Sequence, residues 1–89
     1  MADKQRAEEC RHVVLGYLVN RPSVAQAAAT IHHRLTITEW DFSLIEVQEA
    51  CGFLAGMELV KEITDPMGST KHYQATSTGI LQHERASAV

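Results

Sequence analysis

Four consecutive side chains after the turn sequence DPMG can bind an anion, and they are Ser69, Thr70, Lys71 and His72. Two hydroxyl donors are followed by an ammonium group and by an imidazole. Groups of this kind commonly contact the phosphates of nucleic acids. We expect this segment to contact a DNA backbone, with an ordinary polar turn as the equally weighted alternative.

A second group of basic side chains precedes the middle of the chain, at Arg21, His32, His33 and Arg34. Arg34 is the member that we expect to contact DNA. The competing explanation is that these cations stabilise the carboxyl end of a helix, where the helix dipole is negative.

Metal binding and catalysis find little support in the spacing of the reactive side chains. Helical metal ligands should lie three or four residues apart, whereas Cys10 and His12 are two apart, and His32 and His33 are adjacent. The chain also has no glycine-rich phosphate loop, no GxSxG motif and no carboxylate pair set against a base. We therefore expect neither an enzyme, nor a cofactor, nor a metal site.

The charges are unevenly distributed along the chain, although the net charge is only -3. Basic residues outnumber acidic ones from Met1 to Thr38. Between Glu39 and Asp65, Lys61 is the only basic residue among seven acidic ones. No overall basic signature indicates nucleic-acid binding, and the middle of the chain is an acidic block.

The first half of the chain predicts two amphipathic helices. The first runs from about Ala7 to Val19, and the second opens at Ser23, which forms a capping box with Gln26. Residues 36–42 are β-branched and aromatic, which favours an extended connector. The predicted buried stripes are Cys10, Val13, Val14, Tyr17 and Leu18 in the first helix, and Val24, Ala27, Ala28, Ile31 and Leu35 in the second.

The second half predicts a third helix from Leu44, opened by a capping box of Ser43 and Glu46. A hairpin follows, with strands 59–64 and 71–75, and Thr76 caps a short last helix. The predicted core stripe of the third helix is Leu44, Val47, Cys51 and Leu54. The predicted apolar face of the hairpin is Leu59, Ile63, Tyr73 and Ala75.

Two stretches resemble the winged helix-turn-helix regulators of the MarR, PadR and ArsR-like families. FLAGMELVKEI resembles the end of their reading helix and the first wing strand, with Glu58 in place of the usual glycine. YQATSTGILQHE resembles their second wing strand and following helix, matching at Tyr73, Thr76 and Gly79 but with Ala75 in place of leucine. A second resemblance is to small winged-helix proteins of Mu-like prophages.

The resemblance implies a mainly α fold with a small β-hairpin, of the α+β class: three helices, a two-stranded wing and a short C-terminal helix. We expect one domain over residues 1–89, with an ordered core of about residues 7–85. The charged start resembles no signal peptide, and no apolar run is long enough to span a membrane, so a soluble cytoplasmic protein is expected. Cys10 and Cys51 are expected to be reduced core residues.

The third helix, which would read bases in a DNA-binding winged helix, carries two glutamates and no base. Helical geometry turns four side chains outward, namely Ile45, Glu46, Glu49 and Phe53. One interpretation is that Glu46 only caps, Glu49 is solvated and Phe53 completes the core. The other is that these four residues bind a protein, as apolar surface rimmed by charge often does.

Two functions from different classes remain. The first is a transcription regulator that binds double-stranded DNA as a homodimer. The first and last helices are the expected surface between the two copies. Its expected DNA contacts are Arg34, Ser43, Gln48, Ser69, Thr70, Lys71 and His72. The second is an adaptor that binds a protein partner through the acidic and apolar face of the third helix.

Overall fold

The computed structural model describes residues 4–64, 66–68 and 70–87. Its elements in chain order are α1 (Lys4–Val19), β1 (Gln26–Ala27), α2 (Ala28–Ile37), α3 (Leu44–Gly56), β2 (Val60–Thr64), β3 (Lys71–Ala75) and α4 (Ser77–Ser87). The strands form one antiparallel sheet in the order β1-β3-β2. The expected mainly helical fold with a wing is confirmed, and β1 adds a third strand that the sequence did not predict.

One core holds the helices and the sheet together. Helix α1 packs on α3, α4 and β3, while α2 packs on α3. Both cysteines are free and buried, as expected, and burial raises the pKa of Cys10 to about 11 and that of Cys51 to about 12, so both thiols stay neutral. The buried apolar residues are Cys10, Val14, Leu15, Leu18, Ala28, Ile31, Leu35, Phe42, Val47, Ala50, Cys51, Leu54, Val60 and Tyr73.

The predicted start of the second helix is wrong. Ser23 and Gln26 form no capping box, because Gln26 belongs to β1 and pairs with Tyr73, and α2 begins only at Ala28. The Tyr17 hydroxyl donates a 2.6 Å hydrogen bond to the Gln26 side-chain oxygen. Val24, predicted in the core, is 50% exposed. Long-range pairing of Gln26 has replaced the local cap.

The predicted start of the third helix is right. The Glu46 amide donates to the Ser43 hydroxyl over 3.1 Å, and the Ser43 amide donates to the Glu46 carboxylate over 2.9 Å. Val47 is buried, as expected. Leu44 was expected there as well but is 37% exposed at the first position of α3. Ala50 is the buried residue that the pattern omitted.

The strand register corrects the predicted apolar face of the hairpin. Tyr73 pairs with Glu62, and Ala75 pairs with Val60, whereas Ile63 pairs with His72. Because cross-strand partners share a face and neighbours alternate, Ile63 lies on the face opposite Tyr73. Val60 takes the predicted place of Ile63 in the core. The connector is also shorter than expected, since α2 continues to Ile37.

The first turn of α4 rests directly on the residues between α3 and β2. The Thr76 hydroxyl accepts a 3.0 Å hydrogen bond from the Gly79 amide, which confirms the predicted cap, and donates to the Glu58 carbonyl over 2.8 Å. A Cβ on Gly79 would lie 1.9 Å from the Leu59 carbonyl oxygen, so only glycine fits there. Glu58 has a φ of 62°, a left-handed conformation that suits the glycine usual in the resembling families.

Candidate nucleic-acid interface

A cleft open to solvent lies between α3, the start of α2 and the wing, which is the hairpin of β2 and β3. It brings together three of the residues predicted to contact DNA, namely Gln48 from α3 and Thr70 and Lys71 from the wing. Glu62 also reaches it. The described residues that line the cleft are Ala27, Ala28, Ala29, Gln48, Gly52, Glu62, Thr70, Lys71 and Tyr73.

The start of α2 contributes backbone to this cleft. Its N-cap residue is Ala27, whose side chain cannot accept a hydrogen bond from the first turn. Helix amides near such an end carry partial positive charge and have no intrahelical acceptor. Ala27 and Ala28 both line the cleft, so the amino end of α2 borders it.

The charged pair in the cleft is weak. The Lys71 ammonium lies 3.8 Å from the Glu62 carboxylate, and both side chains are largely exposed, at 58% and 40%. Exposed pairs of this kind contribute little, because water and salt screen them. Lys71 can therefore leave Glu62 and bind another anion with little loss of free energy.

Three other predicted DNA contacts, His72, Arg34 and Ser43, are not among the residues that line the cleft. His72 alternates with Lys71 along β3 and so lies on the opposite face of the sheet, paired with Ala27 and Ile63. Arg34 is exposed in the last turn of α2, and Ser43 is the N-cap of α3. Ser69 falls outside the described residues.

The opposite side of α3 is covered by an arginine from α1. Two guanidinium nitrogens of Arg6 donate to the two carboxylate oxygens of Glu46, over 2.6 and 3.1 Å, and one also donates to the Asp41 carbonyl. The same guanidinium lies 5.2 Å from the centre of the Phe42 ring. Together with the Ser43 amide, Arg6 lowers the pKa of Glu46 to about 2.

A second arginine of α1 contacts an aromatic ring of α3, two turns beyond Glu46. The Arg11 guanidinium lies 3.7 Å from the centre of the Phe53 ring, within the range of a cation–π interaction. Phe53 therefore does not complete the core, since it is 44% exposed and covered in part by Arg11. Of the four residues expected to bind a protein, Glu46 and Phe53 are engaged by α1, while Ile45 and Glu49 remain exposed.

The partners Arg6 and Arg11 are the residues that sequence reasoning missed. Arg6 and Glu46 are forty positions apart, so no local spacing relates them. The available signal was indirect: the acids of the third helix had no base nearby in sequence, whereas bases outnumber acids over residues 1–38.

The described ranges 4–64, 66–68 and 70–87 contain neither a candidate metal site nor a candidate membrane-spanning helix. No group of three or more His, Cys, Asp or Glu side chains there could hold a metal ion. No helix in those ranges combines the length and the apolar character needed to cross a bilayer.

The comparison with solved structures finds a chain described as "PadR-like Transcription factor from bacteroid fragilis". The TM-score is 0.76 at 15% sequence identity, over 96% of this chain and 82% of that one. The fold is a winged helix. No protein-family description and no curated protein matches the sequence. The resemblance to winged-helix regulators is thereby confirmed at the level of the fold, and the resemblance to prophage proteins stays a prediction.

Proposed function

We propose that this winged-helix protein is a transcription regulator that binds double-stranded DNA at the cleft. The observation that carries the proposal is the convergence of three kinds of donor on one concave surface. Gln48 lies on α3, Thr70 and Lys71 lie on the wing, and the uncapped start of α2 lies between them. Amides at helix ends, hydroxyls and lysines are the groups that contact phosphates in protein–DNA interfaces. The PadR-like neighbour, described as a transcription factor, supports the same function.

The acidic third helix is compatible with this proposal because one of its two glutamates is neutralised. Arg6 holds the Glu46 carboxylate in a paired geometry on the side of α3 that faces α1. Its charge is thus cancelled locally by a cation. The helix that enters the groove carries one unpaired acid rather than two.

A homodimer in the cytoplasm is part of the proposal. One cleft offers few phosphate contacts, and a second copy at a neighbouring half-site raises affinity without any new type of contact. The expected pairing surface is formed by α1 and α4, which pack against each other within the chain. Sedimentation of the purified protein tests the oligomeric state.

The test of DNA binding is fluorescence anisotropy with a mixed-sequence duplex at about 50 and about 200 mM salt, where phosphate-driven binding falls steeply. Lys71→Ala should weaken binding several-fold and lower the slope of log K against log salt by about 1. The matched control is Lys61→Ala, since Lys61 is also exposed but pairs with Gln74 on the opposite face of the sheet. Equal effects of the two substitutions would contradict binding at the cleft.

A protein-binding adaptor is the second candidate, and one observation favours it. Ile45 is 65% exposed on α3 next to the exposed Glu49, and apolar surface beside charge is common in protein interfaces. The contacts of Arg6 and Arg11 leave less of this surface free than the sequence indicated. Absence of binding to any duplex at low salt would favour the adaptor.

A further inference from the structure

The solvent face of α3 presents few side chains. Val47, Ala50, Cys51 and Leu54 are buried, so the opposite face is formed by Ile45, Glu49, Gly52 and Gly56, with Gln48 at its border. A Cβ added at Gly52 or Gly56 would meet nothing within 4 Å, so the carboxyl half of this face is bare backbone. The side chains that project from it are those of Ile45, Gln48 and Glu49.

Glu49 differs from the other acid of this helix. Glu46 is held by two donors of Arg6 and by the Ser43 amide, on the side of the helix toward α1. Within the described part of the chain, the Glu49 carboxylate has neither a hydrogen-bonding nor an ionic partner, and the residue is exposed. Its oxygens can accept hydrogen bonds but donate none.

An unpaired carboxylate in the major groove discriminates between bases. Cytosine presents the N4 amino donor, whereas guanine presents the two acceptors N7 and O6, and thymine presents the acceptor O4. Adenine has a donor at N6, but its N7 acceptor lies beside it and repels the second carboxylate oxygen. A carboxylate that must enter the groove is therefore best satisfied by cytosine.

We propose that Glu49 is the specificity-determining residue of α3, and that it selects a cytosine through the N4 amino group in the major groove of DNA. This inference rests on the proposed function. Ile45, one turn earlier on the same face, would meet the next bases with an apolar surface, which suits a thymine methyl group. The sequence preferred would thus contain a cytosine at the position that faces Glu49.

The carboxylate acts as much by rejection as by attraction. Opposite any base without a free donor, the charge of Glu49 is desolvated, unpaired and close to phosphates, which weakens binding. Replacement by the neutral amide in Glu49→Gln removes that repulsion. The variant should bind mixed-sequence DNA more tightly and discriminate less between sequences.

The experiment is selection of bound sequences from a randomised duplex library, with the wild type, Glu49→Gln and Glu58→Gln. Glu58 is the matched control, because it is an exposed glutamate between α3 and β2 that belongs neither to the cleft lining nor to α1 or α4. The wild type and Glu58→Gln should enrich the same cytosine. Glu49→Gln should lose the cytosine preference by a factor on the order of 10, at that position alone, since one side-chain contact to a base supplies that much discrimination.

Affinities for the selected duplex and for a mixed duplex complete the test. The expected result is that Glu49→Gln gains affinity for the mixed duplex and loses affinity for the selected one. A selected motif that is identical in Glu49→Gln, or wild-type binding without a sequence preference, would overturn the role of Glu49 and leave DNA binding intact. Absence of wild-type binding to every duplex would overturn the proposed function, and this inference with it.

Discussion

Helices α2 and α3 begin in opposite ways, although both are preceded by a serine with a Gln or Glu three residues later. At α3, Ser43 and Glu46 close the helix end, and Arg6 then pairs with the Glu46 carboxylate. At α2, Gln26 is drawn into the sheet, and Ala27 leaves the helix end uncapped beside the cleft. The start of α3 has a side-chain cap for its amides, whereas the start of α2 has none.

The largest effect should come from the body of α3 rather than from its cap. Leu54 is 3% exposed in the core, and Leu54→Ala should lower the free energy of unfolding by about 2 to 5 kcal/mol, through lost burial and the cavity left behind. Thermal or denaturant unfolding measures this. Leu81→Ala is the control at a leucine that is 47% exposed. Similar losses in the two variants would mean that α3 does not pack as described.

The start of α2 should depend on a contact from α1. Tyr17→Phe removes the hydroxyl that donates to Gln26 and leaves a buried amide oxygen without that donor, so unfolding free energy should fall by about 1 to 3 kcal/mol. Tyr73→Phe removes a hydroxyl with no hydrogen-bond partner in the described residues and should change stability by less. An unchanged Tyr17→Phe variant would show that β1 alone holds this helix end.

The two serines give a direct comparison of the two helix ends. Ser43→Ala should lower the unfolding free energy by about 1 kcal/mol, because the Glu46 amide loses its acceptor. Ser23→Ala should change it by less than about 0.5 kcal/mol, since Ser23 is exposed and lies outside any helix. Equal losses in paired denaturation curves would show that Ser23 caps α2 in solution.

The smallest effect is the pH dependence that Glu46 adds. Its pKa is about 2 in the folded protein against an ordinary value of 4.5, so its contribution to stability is present above pH 4.5 and is lost as the pH falls toward 2. Glu46→Gln keeps a capping side chain but does not titrate, so its stability should fall less between pH 5 and pH 2 (about the range of carboxylate titration). Glu49→Gln, without a partner to lose, should follow the wild type. If the unfolding free energy falls equally with pH in all three proteins, the contact between Arg6 and Glu46 does not contribute to the pH dependence of stability.

Much of the fold could be predicted because its signals are local. The strand Lys71–Ala75, the cap at Thr76 and the start of α3 each depend on residues within a few positions, and each was right. Ile63 was assigned to the wrong face because the strand register depends on pairing with β3, which the sequence of β2 does not specify. The same limit explains Val24 and Leu44, whose exposure depends on where neighbouring elements end.

The candidate site divides in the same way. Gln48, Thr70 and Lys71 were predicted from side-chain chemistry alone, as groups able to bind bases or phosphates, and they stay predictions. That these residues lie in one cleft with the start of α2 could not be predicted, because it follows from the packing of three elements. Arg6 was missed because its partner Glu46 is distant in sequence, although it decides how much negative charge α3 presents.

By itself the sequence determined the kinds of element, their order and the residues able to cap, pack or bind, since propensity, spacing and side-chain chemistry are properties of short segments. The tertiary structure alone decided which of two similar capping motifs forms, which glutamate of α3 is neutralised and which donors face one cleft. A local hydrogen bond persists where the long-range contacts of the same residue leave its geometry intact. Gln26 has such partners in β3 and Tyr17, whereas at the start of α3 the long-range partner, Arg6, reinforces the local cap.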